Sequence, residues 1–367
     1  MSPPANTPAQ ARLFFADALR VVAAFLVVTA HIALGLLYYS SPEHPLSWFD
    51  WHFALAINSS ARWIVAGFVM VSGAFLLNPA RVEPAALFYK KALSRIGIPL
   101  LFWSAFYTAW PYLFAAANYN NAALRHLRGL TGLALGIPYY HLHFLFLIAG
   151  LYLFTPMLRT FVRHSSRPTI TLTITAILAL AALNTLIDTW THSLPNAVSR
   201  FVPFIAFFLA GHQLKDTVLS PKSLAAVWAV YFSCVLATIA ATHYLVLTRN
   251  LGWGPQSEYF TDFFSPFIIA TSFCVYLIFR STFPSQPPST PIARFITRSL
   301  APAALGIYLV HPLLLDLLSL ITPVGGKTHW PPALQIARAA IVVFTLSYAL
   351  TAILMKIPLL RRTVGYR

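Results

Sequence analysis

A long apolar run near the start of the chain, residues 13–39, carries three ionisable side chains. It exceeds the roughly 20 residues that an α-helix needs to cross a bilayer, so we expect it to span a membrane. Asp17 and Arg20 lie near its beginning, and His31 lies two-thirds of the way along. Ionisable groups are costly inside a membrane and usually face protein or a water-filled cavity. The run therefore predicts a spanning helix with a functional polar face.

The spacing of Arg20 and His31 predicts that both side chains share one stripe of this helix. They are 11 residues apart, which corresponds to an axial rise of about 16 Å and about three turns. Asp17 precedes Arg20 by one turn and faces the same side. Arg20 is thus expected near a membrane surface, whereas His31 is expected deep within the bilayer.

The composition indicates a polytopic membrane protein. Only 9% of the residues are charged, 58% are hydrophobic, and the mean hydropathy is +0.69. A soluble domain would carry roughly a quarter charged residues. The two cysteines, Cys234 and Cys274, fall within apolar segments and indicate packing, with no disulfide, metal site or redox role expected.

Ten apolar segments predict an all-α fold with about ten transmembrane helices in one bundle. The predicted spans are 13–39, 59–78, 96–116, 143–162, 169–187, 200–214, 223–247, 260–280, 299–321 and 332–355. Most Lys and Arg residues outside these spans fall in one set of alternating loops. The opposite set holds only Arg62, Arg125, Arg128, Arg200, Arg249 and Lys327. By the positive-inside rule, both termini are cytoplasmic. The net charge of +16 then reflects topology, and nucleic acid is not an expected partner.

The segments around the spans complete the predicted organisation. Residues 1–12 are expected to form a cytoplasmic leader without a cleavable signal, because the first apolar run is too long for one. Residues 13–356 form the predicted transmembrane domain, and residues 357–367 a basic cytoplasmic tail. A Pro/Ser-rich stretch at about 281–298 predicts a cytoplasmic linker that acts as a hinge. Residues 40–58 are expected to form an outer loop.

Basic residues at the start of the third span form a second candidate cluster. Lys90, Lys91 and Arg95 lie at its cytoplasmic end, and Lys91 and Arg95 are i,i+4 neighbours on one face. Taken alone, they would be a positive-inside anchor whose side chains extend to the lipid headgroups. With Arg20 at the same depth, they indicate an anion-binding rim.

Two histidines stand at the outer edge of the fourth span. His141 and His143 are separated by one residue, so they point to different sides of a helix and do not favour a two-histidine metal site. No metal site is therefore expected. A polar role in an outer vestibule is expected for at least one of the two.

The second and ninth spans contain further polar candidates. Ser72 adjoins Gly73, a pair that permits close approach of helices, and packing is the favoured role of Ser72. In the ninth span, Tyr308 and His311 precede Pro312. A proline at this position can free a backbone carbonyl near the centre of the membrane, which helps to build polar sites.

Several motifs, taken in order, resemble the acyltransferase-3 family of integral membrane acyltransferases. The first helix carries Asp-x-x-Arg and Arg-(ten residues)-His, and the second carries a Ser-Gly signature. The later blocks FFLAGHQL and LGIYLVHPLL also match. The block YYHLHFLFLIAGLYLFTPMLR is similar to the polysaccharide O-acetyltransferase branch, which includes the enterobacterial common antigen O-acetyltransferase. Two residues depart from the family: Ala92 replaces the first Arg of a third-span Arg-x-x-Arg, and His143 replaces a Trp.

The resemblance implies an O-acetyltransferase in the bacterial inner membrane. An acetyl group would pass from cytoplasmic acetyl-CoA, a donor substrate and not a bound cofactor, to a hydroxyl of a cell-surface or lipid-linked glycan at the outer face. His31 would be the essential histidine, as general base or as acyl carrier. Arg20 and the basic rim would hold the CoA phosphates, and Asp17 would orient Arg20. The candidates to position the acceptor or stabilise an oxyanion are His141, His143, Tyr308, His311 and Ser72.

Two other classes of protein compete with an enzyme. A secondary transporter for an organic anion would use Arg20 as a clamp and His31 as a proton relay. The sequence contains no inverted repeat and no paired spans broken by Gly or Pro, features that are typical of such transporters. A role as a scaffold protein would not explain why the first helix carries the polar stripe. The sequence leaves open which glycan is the acceptor, whether the donor is acetyl, succinyl or longer, and the oligomeric state.

Overall fold

The computed structural model describes residues 13–39, 46–79, 83–117, 130–191, 200–254, 256–321 and 331–366. Regular secondary structure in these ranges is entirely helical. The helices are α1 (Phe14–Tyr39), α2 (Trp48–Ala61), α3 (Ile64–Leu76), α4 (Ala85–Ala92), α5 (Ile98–Ala117), α6 (Leu130–Ala134), α7 (His143–His164), α8 (Arg167–Thr191), α9 (Ile205–Leu214), α10 (Pro221–His243), α11 (Pro266–Thr282), α12 (Pro291–Phe295), α13 (Ala301–Ile321) and α14 (Pro332–Lys356). Three π-helical turns extend them at Leu93–Gly97, Tyr244–Thr248 and Ile296–Leu300.

Eight helical segments within the described ranges are long and apolar enough to cross a membrane. They are Phe14–Tyr38, Trp48–Leu76, His143–His164, Arg167–Thr189, Pro221–Thr248, Tyr259–Thr282, Pro291–Ile321 and Pro332–Lys356. The prediction of an all-α, multi-pass membrane protein is confirmed. The two other predicted spans correspond to α5, which is not one of these eight segments, and to the shorter apolar segment Val202–Leu214. Ten crossings and cytoplasmic termini stay predictions.

The second spanning segment begins earlier than predicted. It starts at Trp48 and includes both α2 and α3, so residues 48–58, expected in an outer loop, are helical instead. The Ser47 hydroxyl accepts a hydrogen bond from the Asp50 backbone N–H at 3.1 Å and caps the first turn of α2. This local signal starts the helix before the strongly apolar part of the segment.

The predicted linker is partly helical, and the predicted tail contacts the bundle. Helix α12 begins at Pro291, so the irregular linker is shorter than predicted. The Thr290 hydroxyl accepts a hydrogen bond from the Ala293 N–H at 3.2 Å and caps this helix. The predicted tail is partly folded against the bundle, because the Trp103 indole N–H donates to the Thr363 carbonyl at 2.8 Å.

Helix α1 occupies a central place in the fold. It packs against α2, α3, α11, α13 and α14, and its apolar side chains Phe15, Leu19 and Val28 are completely buried. Arg20 and His31 are half-buried on the same helix. The polar stripe predicted from the sequence is therefore enclosed by other helices.

Helices α3 and α9 approach each other closely at two glycines. A Cβ atom added at Gly73 would lie 1.8 Å from the Phe208 carbonyl oxygen, and one at Gly211 would lie 1.9 Å from the Met70 carbonyl oxygen. Both distances are far inside van der Waals contact, so the two backbones can adopt this spacing only without side chains there. The expected role of the Ser-Gly pair in close packing is confirmed for Gly73.

Replacing Gly73 with alanine is expected to destabilise the protein. The helix backbones must separate, and overpacking of this kind costs about 1–3 kcal/mol. The matched control is Gly35→Ala in α1, because nothing lies within 4 Å of a Cβ atom added there. Thermal unfolding of the detergent-solubilised variants should show a lower Tm for Gly73→Ala alone. Equal Tm values for the two variants would contradict the packing observed at Gly73.

Candidate active site

Two imidazoles from distant parts of the chain meet between α1 and α13. His31 Nδ1 lies 2.8 Å from His311 Nε2, and the rings are nearly parallel, with an interplanar angle of 7°. His311 is completely buried, whereas His31 is half-buried. Since α1 also carries Arg20, the imidazole pair connects the predicted polar stripe to a second helix.

The hydrogen bonds determine which nitrogen carries the proton in each neutral ring. His311 Nδ1 lies 2.7 Å from the Tyr308 carbonyl oxygen, which can only accept, so Nδ1 carries the proton. His311 Nε2 then has a lone pair and accepts the proton of His31 Nδ1. The remaining nitrogen, His31 Nε2, therefore has a free lone pair. It makes no hydrogen bond within the described part of the chain and is not sealed off by neighbouring atoms.

Pro312 explains why the Tyr308 carbonyl of α13 is available to bond to His311. Proline has no N–H group, so the carbonyl four residues earlier, that of Tyr308, loses its helical partner and bonds to His311 instead. One residue further along α13, the Tyr107 hydroxyl inserts between a backbone N–H and the carbonyl that this N–H would bond to in a regular helix. It accepts from the Leu313 N–H at 3.3 Å and donates to the Leu309 carbonyl at 2.8 Å. The carbonyl predicted to be freed by Pro312 thus orients the imidazole pair.

Aromatic side chains enclose the pair. The Tyr140 ring stands edge-on to His31, with centroids 4.9 Å apart. The Tyr308 hydroxyl donates to the His141 carbonyl, which joins α13 to the turn before α7. These contacts surround the two imidazoles with aromatic surface.

The structure places His141 beside His311, with ring centroids 5.5 Å apart, whereas His143 contacts Tyr140 and Phe263. His141 is completely buried, burial lowers the pKa of its imidazole, and neither ring nitrogen makes a hydrogen bond of good geometry, although the Leu309 carbonyl is in range. His143 Nδ1 donates to the Tyr140 carbonyl at 3.0 Å, and its Nε2 is buried without a partner. Within the described ranges, no three His, Cys, Asp or Glu side chains are grouped to hold a metal ion.

Arg20 lies at the start of the stripe with its predicted partner. Its Nη1 donates to Asp17 Oδ1 at 3.2 Å, and its guanidinium stands over the Phe75 ring, 5.0 Å from the centroid. Arg95, on the π-helical turn after α4, is exposed and within electrostatic range of Arg20. The charges of the two arginines that were predicted to share a rim therefore act on each other.

The contacts seen for the other three predicted site residues are with groups other than the imidazole pair. Lys90 is exposed on α4. Lys91 forms an ion pair with Glu83, which partly neutralises it. The Ser72 hydroxyl donates to the Phe68 carbonyl of its own helix at 2.9 Å, as expected for a packing residue.

Sequence reasoning missed a polar cluster on the far side of Pro312. Asp316 Oδ2 accepts hydrogen bonds from the Tyr139 hydroxyl at 2.6 Å and from the Trp110 indole N–H at 2.8 Å. The Tyr139 ring stacks on Tyr107, with centroids 4.8 Å apart. Asp316 thereby fixes the aromatic wall around the site. The signal available in the sequence was a single carboxylate in an apolar helix. Its partners lie on other segments, and the sequence does not indicate that these segments pack against α13.

Comparison with known proteins identifies the family. A family model described as an acyltransferase domain matches residues 13–352, which extend from the polar start of α1 into α14. No curated protein and no solved structure shows a significant match to the chain. The family match includes Arg20, His31 and His311. The resemblance predicted from the motifs is confirmed at the level of the family: the chain belongs to the acyltransferase-3 family and is a multi-pass membrane acyltransferase.

Proposed function

We propose that this protein is an O-acetyltransferase of the polysaccharide-modifying branch. It transfers an acetyl group from cytoplasmic acetyl-CoA to a hydroxyl of a cell-surface or lipid-linked glycan at the outer face of the bacterial inner membrane. One observation supports this proposal above the others. His31 has a free Nε2 lone pair in a buried imidazole pair, on the same helix as a cationic group suited to CoA.

The donor binds at the rim and extends along α1. Arg20 and Arg95, with Lys90 and Lys91 nearby, hold the CoA phosphates by charge-assisted hydrogen bonds. The two guanidinium groups repel each other, and an anion between them relieves this repulsion. The pantetheine arm is similar in length to the rise of about 16 Å that separates Arg20 from His31. The thioester can therefore reach His31 while the nucleotide stays at the rim.

His31 acts as a general base in the proposed step. Its Nε2 takes the proton of the glycan hydroxyl while the hydroxyl oxygen attacks the thioester carbonyl carbon. The tetrahedral intermediate then collapses, the C–S bond breaks, and the CoA sulfur leaves with the proton held by His31. The products are the acetylated glycan and free CoA. In the alternative course, Nε2 attacks the thioester first and carries the acetyl group to the hydroxyl.

His311 is a positioning residue in this scheme. Both of its ring nitrogens are engaged, one by the Tyr308 carbonyl and the other by His31, so it has no nitrogen left for a substrate. It holds His31 in the tautomer whose Nε2 is basic. When His31 becomes protonated, its Nδ1–H bond to His311 becomes charge-assisted and stronger.

Acetyl transfer can be tested with the purified protein in proteoliposomes. Acetyl-CoA is labelled separately in the acetyl group and in CoA, and surface glycan from a deletion strain serves as acceptor. We expect labelled ester on the glycan and release of one CoA thiol for each ester. Accumulation of an intact organic anion inside the vesicles without ester formation would favour the transporter and overturn the proposal. Mass spectrometry of the glycan from deletion and parent strains identifies the modified residue.

Arg20→Gln is expected to raise the KM for acetyl-CoA about 10- to 100-fold, because charged hydrogen bonds contribute about 1.5–3 kcal/mol. The kcat should change much less. Arg167→Gln is the matched control, since Arg167 is exposed and lies on α8, a different helix from the rim residues. Asp17→Asn combined with Arg20→Gln shows whether the Asp17 carboxylate, left without the Arg20 charge beside it, causes the effect. An unchanged KM in Arg20→Gln would contradict the role of Arg20 in holding the donor.

A further inference from the structure

A short turn of the predicted tail lies against the segment that carries Arg95. The helical turn Leu360–Val364 ends at Gly365, whose φ of +71° is left-handed. A Cβ atom added at Gly365 would lie 2.9 Å from the Arg95 carbonyl oxygen and 2.7 Å from Leu305 Cδ2 of α13. Both distances are inside van der Waals contact, so this close approach requires a residue without a side chain. Residues 360–365 are called the tail turn below.

The sequence after Arg95 indicates that its helix is a place of bending. Helix α4, the π-helical turn Leu93–Gly97 and α5 follow one another without interruption. Pro99 lies four residues after Arg95 and has no N–H group, so it cannot donate the regular helical hydrogen bond to the Arg95 carbonyl. Prolines and π-helical turns are the usual positions of kinks in helices. Other contacts are therefore needed to hold the Arg95 segment in one orientation.

The tail turn contacts this helix on both sides of Pro99. On one side, Gly365 packs against the Arg95 carbonyl. On the other side, four residues after Pro99, the Trp103 indole N–H donates to the Thr363 carbonyl at 2.8 Å. Trp103 and Thr363 are both buried, so this hydrogen bond is shielded from water. The tail turn therefore bridges the position at which proline interrupts the helical hydrogen bonds.

The same turn connects Arg95 to the helix of the imidazole pair. Gly365 lies against Leu305 as well as against Arg95, and Leu305 is on α13, six residues before His311. The tail turn thus holds the Arg95 segment at a fixed place relative to α13. A fixed separation matters for the proposed reaction, because the pantetheine arm has a limited reach between the phosphates and the thioester.

We propose that the tail turn positions Arg95 for the CoA phosphates, with Gly365 as a positioning residue that acts through the Arg95 backbone. This inference rests on the proposed function, because it takes Arg95 as a donor-binding residue. A guanidinium on a segment that is held in place loses less conformational freedom on binding than one on a segment that bends. The tail turn therefore increases the affinity for the donor without touching it.

Replacing Gly365 with alanine tests the contact. The new Cβ atom must displace the Arg95 carbonyl or the tail turn, and we expect the Kd for CoA to rise about 10-fold, the lower end of what one charged hydrogen bond contributes. Gly252→Ala is the matched control, because Gly252 has a φ of +68° and nothing lies within 4 Å of a Cβ atom added there. Both substitutions carry a similar backbone strain. Calorimetry on the full-length protein in nanodiscs measures the binding of CoA.

A double variant shows whether Gly365 acts through Arg95. Arg95→Gln is itself expected to weaken the binding of CoA, and Gly365→Ala added to it should cause no further loss. Losses that multiply would overturn the inference. An equal Kd for CoA in Gly365→Ala and Gly252→Ala would overturn it as well.

A second variant tests the other contact of the tail turn if Gly365→Ala does not fold. Trp103→Phe keeps an aromatic ring but lacks the indole N–H that bonds to the Thr363 carbonyl. It should weaken the binding of CoA, and it should do so only while Arg95 is present. Trp228→Phe, at an exposed position of α10, is the control. An unchanged Kd in Trp103→Phe would contradict the bridging role.

Hydrogen exchange separates this inference from the proposed function. Without CoA, the amides of residues 93–103 should exchange faster in Gly365→Ala than in the native protein and in Gly252→Ala, because the bridge across Pro99 is weakened. If the native protein binds no CoA, the proposed function is overturned, and faster exchange leaves the tail turn as a purely structural bridge. If the native protein binds CoA and Gly365→Ala binds it equally well, this inference alone is overturned.

Discussion

Replacing His31 with alanine is expected to lower the kcat of acetyl transfer by about 10²- to 10⁴-fold, the usual contribution of a general base. The fold should survive, because His31 is half-buried and makes one hydrogen bond, to His311. The KM for acetyl-CoA should change little, since the proposed phosphate contacts lie at Arg20. Steady-state release of CoA in the presence of glycan measures both constants.

The chain contains a matched control for this substitution. His52 Nε2 lies 2.8 Å from His243 Nδ1, and His52 Nδ1 bonds to the Trp48 carbonyl at 2.7 Å. His243 therefore occupies the same hydrogen-bonding position in this second imidazole pair as His31 does in the first. His243→Ala removes an equivalent hydrogen bond between helices but should retain acetyl transfer.

Comparing the His31→Ala and His243→Ala variants distinguishes a catalytic role of His31 from a structural one. If His31→Ala and His243→Ala lose activity equally and both show a lower Tm, the effect of His31 is structural and its assignment as base is wrong. A burst of CoA release by the native protein without glycan would show that an acetyl-enzyme forms. Its absence, with rapid release once glycan is added, would favour direct transfer.

The polar face of α1 could be predicted from the sequence, because ionisable residues inside an apolar helix are costly and usually have a function. A spacing of 11 residues places Arg20 and His31 on the same face of that helix. The sequence also predicted the effect of Pro312, since the loss of one N–H follows from proline alone. The contact of His31 with His311 could not be predicted from the sequence. That contact depends on how α1 and α13 pack, and short-range periodicity contains no information on packing between helices so distant in the chain.

The start of α2 shows a different limit. Hydropathy placed the second span at residues 59–78, because the preceding segment contains Asp50, His52 and several aromatic residues that resemble an interfacial loop. The structure begins the helix at Trp48, and His52 Nε2 lies 2.8 Å from His243 Nδ1 of α10. As a result, the sequence placed Arg62 near the outer end of a span, whereas the structure places it at the turn between α2 and α3, bonded to Asn58 and Thr261.

His311→Leu is expected to lower kcat about 10²-fold, toward the lower end of the contribution of general base catalysis. Leucine has no acceptor for the His31 Nδ1 proton, so His31 can rotate and can place its proton on Nε2, where it no longer serves as a base. The KM for acetyl-CoA should stay unchanged. Because His311 is completely buried, thermal unfolding must confirm that the variant is folded.

Rescue by glutamine distinguishes control of the tautomer from simple packing. In His311→Gln, the side-chain carbonyl oxygen can accept the His31 Nδ1 proton near the position of the lost Nε2, so we expect this variant to recover a substantial part of the kcat that His311→Leu loses. His52→Leu and His52→Gln provide the same comparison in the second imidazole pair, where neither change should affect transfer. If the leucine and glutamine variants of His311 are equally slow at equal Tm, the proton on His31 Nδ1 does not control the reaction. The free lone pair on Nε2 would then have to be maintained by substrate binding and not by His311.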